Sequence, residues 1–208
     1  MTVRGSGWTA VVVFKGRGAS KTRLEHDSRS ALAEAFLLDT LAAVRAAREI
    51  GSIVLVTSDA GATGRARSVV GELAVLPDPG SLNTAVATGV AAALLARPEG
   101  PVVALTGDLP ALAPGDLDAA LRLARSLPAV VADRAGTGTT ALLVASDAEV
   151  EPAFGAGSLH RHRSSGCAVL DLPVSSTLRL DVDTVDDLRD AEALGVGPHT
   201  TRELAAAA

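Results

Sequence analysis

The chain has 208 residues, the length of one large α/β domain, and no linker rich in Ser, Pro or charge divides it. Hydrophobic residues make up 48% of the chain but aromatic residues only 2%, so the core must be built from Ala, Val and Leu. A formal net charge of -5, with no basic run interleaved with aromatics, argues against binding to nucleic acid.

Targeting signals and cysteine chemistry are also restricted by the sequence. Cys167 is the one cysteine, which excludes an intrachain disulfide and a zinc site built from cysteines. The apolar run near the amino terminus is too short for a signal peptide, and no segment approaches a membrane span, so we expect a cytoplasmic protein. We expect one domain over 1–208, with a core of about 10–195 and an Ala-rich flexible tail at 196–208.

A buried strand at 10–14 leads into a Gly-rich basic loop that carries Lys15, Lys21 and Arg23. Such a loop is typical of phosphate binding, because backbone N–H groups and cationic side chains converge there. It is not a Walker A loop, which needs Gly where Ser20 stands, nor a dinucleotide fingerprint, which needs Gly at Lys21. The alternative is a solvated basic loop.

The next segments alternate between helix and strand, which predicts right-handed parallel βαβ units. A long helix is expected from Asp27 or Ser28 to Glu49, and a strand at 53–57 ends on Ser58. A short helix at 63–70 and a third strand at 74–76 follow. The turn-rich loop 77–83 then precedes a helix at 84–96, and Asn83 either caps that helix or contacts a nucleotide base.

The segment 101–110, PVVALTGDLP, places a carboxylate directly after a buried apolar run. A run of this kind predicts a central strand covered on both faces, ending near Asp108. Because ligands of open α/β sheets bind beyond the carboxyl ends of the strands, Asp108 is a candidate for holding metal or substrate. The alternative is that Asp108 only forms the turn before Pro110. A helix at 114–126 and a strand at 129–132 are expected next.

Two Gly-rich loops in the second half can accommodate an anion. The first, 136–140, combines two glycines with three threonines just before a strand, so it offers N–H and O–H donors. The second has Gly155, Gly157 and Ser158 before a short helix. His160 and His162 lie on that helix, but a spacing of two does not suit a zinc pair.

The segment 178–183, LRLDVD, is expected to be a strand with Asp181 and Asp183 on one face, followed by a helix capped by Thr184. Together with Asp108, these carboxylates could hold one Mg²⁺ through oxygen ligands. Cations and Gly-rich loops for phosphates, with carboxylates for a hard metal, favour phosphoryl or nucleotidyl transfer by positioning and charge neutralisation.

Six short motifs, spread in order over 11–195, resemble the guanylyltransferases of coenzyme F-420 biosynthesis, within the wider class similar to the molybdenum-cofactor nucleotidyltransferases. They are Lys15 with the segment 21–24, Ser81-Leu82-Asn83, the segment 107–110, the segment 136–140, the segment 154–158 and the segment 181–184. The resemblance implies a single-domain, three-layer α/β/α fold with a mostly parallel twisted sheet, like the nucleotide-diphospho-sugar transferases. The first loop lacks the longer Gly-rich signature of wider relatives.

The same resemblance implies GTP, a small phosphorylated carboxylic acid and Mg²⁺ as reactants and cofactor. It assigns Lys21 and Asp108 to catalysis, and Asp108, Asp183 and Asp181 to the metal. The acid is then bound by Thr140, Gly155 and Ser158. GTP is bound by Lys15, Lys21, Arg23, Ser58 and Asn83.

The implied reaction transfers GMP to phosphoenolpyruvate, since the Ala- and Arg-rich composition is typical of a high-GC bacterium. Hand-over of the product to a downstream transferase is a further expectation. The alternatives are 2-phospho-L-lactate as the acceptor, a cytidylyl or sugar-phosphate nucleotidyltransferase, and a non-catalytic GTP-binding module.

Overall fold

Seven strands form one twisted sheet, in the order β3-β2-β1-β4-β6-β5-β7, and only β6 runs against its neighbours. The computed structural model describes residues 7–16, 23–145 and 151–207, with the backbone alone for 23–29 and 207. The strands are β1 Trp8–Val13, β2 Ile50–Val56, β3 Ala74–Leu76, β4 Val102–Thr106, β5 Ala129–Ala132, β6 Thr139–Val144 and β7 Ala168–Val169.

Helices cover both faces of this sheet. They are α1 Arg23–Ala46, α2 Ala60–Val70, α3 Leu82–Ala96, α4 Pro114–Leu123, α5 Ser158–Ser164, α6 Val185–Leu194 and α7 Pro198–Ala207. Residues of α1, α2 and α4 pack with Ala10 and Val12 of β1, whereas residues of α3 and α5 pack with Val11 and Val13. Successive side chains of β1 thus enter opposite cores. The expected three-layer α/β/α fold with a mostly parallel sheet is confirmed.

Several helix boundaries differ from the expected ones. The first helix begins at Arg23 rather than at Asp27 or Ser28. The helix α3 begins at Leu82, and its cap is Ser81, whose hydroxyl accepts a hydrogen bond from Thr84 N at 3.1 Å. Asn83 therefore lies within the first turn of α3, and of its two expected alternatives the one in which it caps the helix was wrong.

The strand expected at 178–183 is absent from the described chain, where a short 3-10 helix, Thr177–Arg179, precedes irregular backbone. The Asp116 carboxylate accepts hydrogen bonds at 2.7 Å from both the N–H and the hydroxyl of Thr177, which fixes the start of this turn. Beyond it, Val182 N donates to Asp108 O at 3.0 Å. This bond brings the acidic segment against the end of β4 without forming a strand.

The carboxyl-terminal segment 196–208 was expected to be a flexible tail, but its described part forms the helix α7 packed on α1. Buried Asp39 of α1 explains the difference, because its carboxylate accepts hydrogen bonds from His199 N at 3.0 Å and Thr200 N at 2.8 Å. These N–H groups belong to the first turn of α7, where a negative charge is favourable. In the described chain, no helix is long and apolar enough to cross a bilayer.

Candidate active site at the carboxyl edge of the sheet

The ends of the four adjacent parallel strands lie level with one another at one edge of the sheet. Val13 of β1 stands opposite Val56 of β2 and Thr106 of β4, and Val56 stands opposite Leu76 of β3. The reversed strand β6 begins at this same edge, since Ala141 is paired with Leu105. The loops in which sequence analysis placed the site residues therefore converge here.

Asp108 follows β4 directly and is held by backbone contacts on both sides. Gly107 N donates to Val13 O at 3.1 Å, and Leu109 N donates to the Thr40 hydroxyl at 3.0 Å. The Asp108 side chain is accessible only in part, and its Oδ1 is buried without a hydrogen-bond partner among the described residues. Burial, followed by the nearby Asp183 carboxylate, raises the pKa of Asp108 to about 6, against a hydrogen bond from Thr106. Such a site favours a proton or a cation.

Asp181 and Asp183 belong to the same acidic group, although no strand aligns them. Burial, followed by the charges of Asp108, Asp183 and Asp133 in that order, raises the pKa of Asp181 to about 7. Asp183 is exposed and precedes Thr184, which forms a capping box with Asp187 at the start of α6. The segment 181–183 is thus fixed between Asp108 and α6.

These acids do not enclose a metal ion by themselves. Within the described residues, no three or more His, Cys, Asp and Glu side chains are grouped closely enough to hold one. The orphaned Oδ1 of Asp108 and the neighbouring Asp183 do fit a hard cation that takes its remaining oxygens from a ligand.

A cleft of about 620 Å³ joins the acidic group to the first loop. Its polar wall includes Lys15, Asp108 and Asp183, so one predicted cation and two predicted metal ligands face the same space. Its apolar wall comes from α1, α3 and α6, with Phe36, Leu82 and Leu188 among the lining residues. The cleft can thus hold a charged group against carboxylates and an uncharged one against the apolar side chains.

Lys15 ties the first loop to the loop after β3. Its ammonium group contacts Gly80 O and lies 3.3 Å from the Asp78 carboxylate. Asp78 N in turn donates to the Ser58 hydroxyl at 3.0 Å. Lys15 and Ser58, predicted separately, therefore belong to one network. Lys21 lies outside the described residues, and Arg23 is described only by its backbone at the start of α1.

The loop 133–138 is organised by an anionic side chain of the protein itself. Asp133 accepts hydrogen bonds from Thr137 N at 2.9 Å and Gly138 N at 2.8 Å, so these donors are unavailable to an external anion. A side chain at position 138 would run into this carboxylate, which explains the glycine. Thr140 is fully buried, and its hydroxyl donates to Leu178 O at 2.6 Å. Direct contact between this hydroxyl proton and substrate would require that bond to break.

The segment 153–157, called here the acceptor loop, leads into α5. Gly155 and Gly157 have φ values of +105° and +70°, a conformation that favours glycine. In the described structure, no carbonyl or side chain accepts a hydrogen bond from the N–H groups of residues 155–157. The adjacent Ser158 hydroxyl is buried and also lacks a described partner. These groups can receive an anionic ligand.

Three residues that the sequence analysis did not assign to the site hold the acceptor loop or its neighbour. Arg161 donates to Ala153 O at 2.8 Å and Ala156 O at 2.6 Å. Buried His162 accepts from Ala153 N at 2.9 Å through Nε2, and its Nδ1 lies 3.1 Å from the Thr139 hydroxyl. Arg179 donates to Ala132 O and Asp133 O. A sequence motif cannot reveal such contacts, because the number of residues between the bonded partners differs from one contact to the next.

A larger cleft, of about 1050 Å³, lies at the opposite edge of the sheet, near the amino ends of the first strands. Its lining includes Arg45, Arg67 and Arg97, which end or follow helices. Helix carboxyl termini disfavour anions, and basic residues there complement the helix dipole. Volume alone therefore does not identify the site, and none of the predicted site residues lines this cleft.

Comparison with known families gives a match over nearly the whole chain. Residues 9–205 match the family described as Guanylyl transferase CofC like. A phosphoenolpyruvate guanylyltransferase of Streptomyces coelicolor is 47% identical over 199 residues, covering 93% of each chain. A phosphoenolpyruvate guanylyltransferase of Streptomyces scabiei is 46% identical over 203 residues, covering 93% of this chain and 94% of the relative.

Solved structures support the fold. A Desulfovibrio desulfuricans G20 structure, provisionally described as a nucleotide-diphospho-sugar transferase, has a TM-score of 0.62 at 17% identity, covering 91% of this chain and 96% of its own. A nucleotidyl transferase from Methanothermobacter thermautotroptrophicus has a TM-score of 0.56 at 16% identity, with 91% and 98% covered. At these identities the likeness concerns the fold alone, and it agrees with the expected architecture.

Proposed function

Since the chain belongs to the CofC-like guanylyl transferase family, we propose that it transfers GMP from GTP to phosphoenolpyruvate. The products are enolpyruvoyl-2-diphospho-5'-guanosine and pyrophosphate, and the reaction serves coenzyme F-420 biosynthesis. The observation that carries this proposal is the identity of 47% to a relative named for this activity, with 93% of both chains covered. The cleft at the carboxyl edge supplies matching chemistry.

A divalent metal is the proposed cofactor, and we specify Mg²⁺. Asp108 and Asp183 are its proposed ligands, with Asp181 as a substitute for Asp183. The buried and unpartnered Oδ1 of Asp108 supports this role. Mg²⁺ commonly binds one or two carboxylates and completes its shell with substrate phosphates and water, so two protein ligands suffice. When bound, the ion would neutralise charge on the triphosphate.

The nucleotide is proposed to lie along the first loop and the loop 77–83. Lys15 and Lys21 are proposed to contact the phosphates together with Arg23, and Ser58 the guanosine. Both polar ends of the Asn83 side chain, which was expected on the guanosine as well, are paired with Phe154. The cleft supports the placement of Lys15, because the same space is lined by Asp108 and Asp183. Phosphate oxygens would replace Asp78 as the partner of Lys15. Two opposite unit charges about 4 Å apart attract each other by about 1 kcal/mol in water and by roughly 4 kcal/mol at the effective dielectric near a protein surface, before the cost of removing water from them.

The phospho-acid is proposed to lie on the acceptor loop. Gly155 contributes its backbone N–H, and Ser158 contributes its hydroxyl, both of which lack described partners. Thr140 is proposed to contact the same ligand, although its hydroxyl first has to leave Leu178 O. Charge-assisted hydrogen bonds of this type are the stronger ones.

The proposed chemistry is an in-line displacement at the α-phosphorus of GTP. A phosphate oxygen of phosphoenolpyruvate forms the new P–O bond, and the bond to the leaving pyrophosphate breaks. No general base is needed, because the attacking phosphate is already ionised at neutral pH. Lys21 is proposed to stabilise the charge that develops on pyrophosphate, and Lys15 adds to the positive field.

A pyrophosphate-release assay tests this proposal. The protein is incubated with Mg²⁺, each of GTP, CTP, ATP and UTP, and each of phosphoenolpyruvate, 2-phospho-L-lactate and a sugar 1-phosphate. We expect release only with GTP and phosphoenolpyruvate. Faster release with phospholactate would change the acceptor, and release with CTP or a sugar phosphate would indicate the related transferases. Binding of GTP without release in any combination would indicate a binding module.

The reactants and the product indicate the compartment of the reaction and the kind of enzyme that acts next. GTP and phosphoenolpyruvate are charged metabolites of the cytoplasm, so we place the reaction there. The product carries an energy-rich diphosphate linkage that a second transferase must consume. We therefore also propose hand-over of the product to such a downstream enzyme.

A further inference from the structure

The position of the acceptor loop depends on side chains outside the loop, and one of them comes from the nucleotide side of the cleft. Asn83 Oδ1 accepts a hydrogen bond from Phe154 N at 2.7 Å, and Asn83 Nδ2 donates to Phe154 O at 3.3 Å. Both polar ends of the carboxamide are thus paired with one residue. This pairing fixes the backbone of Phe154 much as a neighbouring strand would.

An amide is required for this double contact. A carboxylate of similar size lacks the donor, and an aliphatic side chain lacks both the donor and the acceptor. The chain contains no other Asn and no Gln, so the only side-chain amide of the molecule is placed at this contact. Phe154 itself is buried, and its ring packs edge-on against His162 with centroids 5.5 Å apart.

Asn83 is also anchored on the nucleotide side. It lies in the first turn of α3, two residues after the Ser81 cap. The preceding residues Asp78 and Gly80 contact Lys15, which lines the cleft. A continuous set of contacts therefore runs from the loop after β1, through the start of α3, to the acceptor loop.

We propose that Asn83 is a positioning residue that holds the acceptor loop in its binding conformation from the nucleotide side of the cleft. This inference rests on the proposed function, and it gives Asn83 a role other than direct recognition of guanosine. Arg161 and His162 hold the same loop from the side of α5. With Phe154 fixed, the N–H groups of residues 155–157 and the Ser158 hydroxyl keep the arrangement in which they can receive the phospho-acid.

The test compares wild type, Asn83→Ala, Asn83→Asp and the control Thr88→Ala. Thr88 lies on α3 at an exposed position and has no described side-chain hydrogen bond. KM is measured separately for phosphoenolpyruvate and GTP, and backbone hydrogen exchange is measured for the peptide covering 151–157. We expect Asn83→Ala to raise KM for phosphoenolpyruvate about tenfold or more, with KM for GTP within about twofold. Exchange in the peptide should become faster, and Thr88→Ala should match wild type in all three readouts.

Asn83→Asp keeps an acceptor for Phe154 N but loses the donor to Phe154 O, so we expect a smaller change of the same kind. Unchanged exchange in 151–157 for both Asn83 variants would overturn the proposal. A rise in KM for GTP alone would also overturn it, because it would indicate direct nucleotide contact. If wild type itself is inactive with GTP and phosphoenolpyruvate, the proposed function fails, whereas the exchange measurement still decides the role of Asn83.

Discussion

Asp108 combines a proposed role in metal binding with an expected loss of stability. Its Oδ1 is buried without a described partner, and burial raises its pKa to about 6, so its ionisation costs more free energy in the folded protein than in the unfolded chain. A buried group of this kind contrasts with Asp118, whose carboxylate accepts hydrogen bonds from Arg48 N and Glu49 N. The first is expected to destabilise the metal-free protein, and the second to stabilise it.

For Asp108→Asn we expect loss of turnover by at least about a hundredfold, because a proposed metal ligand is removed. In the presence of a chelator, we also expect a free energy of unfolding about 1–3 kcal/mol higher at pH 8, because no buried charge remains. Pyrophosphate release and chemical denaturation provide the two measurements. Asp118→Asn is the control and should lose about 1–3 kcal/mol. Near-wild-type turnover in Asp108→Asn would refute the metal site.

Ser158 is the second site residue with a buried polar group that has no described hydrogen-bond partner. The proposed partner of the Ser158 hydroxyl is the phospho-acid, so we expect Ser158→Ala to raise KM for phosphoenolpyruvate about tenfold or more and to leave KM for GTP little changed. Since this buried hydroxyl has no described partner within the protein, the substitution breaks no described hydrogen bond of the fold. Steady-state kinetics with each substrate varied in turn gives the measurement. Ser165→Ala, at the exposed end of α5, should resemble wild type. An effect on GTP alone would place the acceptor loop on the nucleotide.

At the scale of elements, His162 joins α5 to the start of β6 and to the acceptor loop. Burial, followed by the charge of Arg161, lowers the pKa of His162 below 6.5. Since Nε2 accepts from Ala153 N, the neutral ring carries its proton on Nδ1 and donates to the Thr139 hydroxyl. The Phe154 ring edge packs against the imidazole. Protonation at Nε2 would remove the acceptor for Ala153 N.

We expect the contribution of neutral His162 to stability to be complete above pH 6.5 and to be lost as pH falls through its lowered pKa. The reason is that the histidine of the unfolded chain binds a proton at a higher pH than His162 does in the folded protein. The slope is at most about 1.4 kcal/mol per pH unit for one proton. Chemical denaturation between pH 4.5 and 7.5 measures it, and His162→Gln should have the smaller slope. His160→Gln, at an exposed position of the same helix, should keep the wild-type slope. Equal slopes in all three proteins would contradict the prediction.

At the scale of the whole molecule, a buried carboxylate joins the first helix of the chain to the last one. Asp39 of α1 caps α7, which lies 160 residues later in the sequence. A side chain at position 197 would run into Asp39, so the backbone at Gly197 passes close to the Asp39 side chain. Without the carboxylate, the first N–H groups of α7 would be left without partners.

For Asp39→Ala we expect a loss of about 1–3 kcal/mol in the free energy of unfolding and faster proteolysis of the segment 196–208. Denaturant titration and limited proteolysis with mass spectrometry measure the two effects. The control is Asp190→Ala, because the ion pair of exposed Asp190 with Arg134 should contribute only about 0–1 kcal/mol. An intact segment in Asp39→Ala would show that apolar packing on α1 holds α7 without the cap.

Local patterns determined much of the architecture. Apolar runs that end in Gly, Pro or Asp placed the central strands within a few residues, and the expected strands at 74–76 and 129–132 have the observed bounds. The motif at 107–110 identified the position of Asp108 beyond β4. Such features depend on residues close in sequence, for which burial on both faces and turn chemistry leave few alternatives.

The tertiary structure decided what depends on distant partners. The segment 178–183 alternates like a strand, but contacts with Asp116 and Asp108 make it a turn followed by irregular backbone. The Gly-Thr loop is rich in donors, but Asp133 already uses two of them. Asparagine often caps helices, yet Asn83 pairs with a residue 71 positions away. The sequence alone therefore determined most of the strands and helices and the candidate site residues, whereas long-range hydrogen bonds decided the remaining elements and which groups are left free for a ligand.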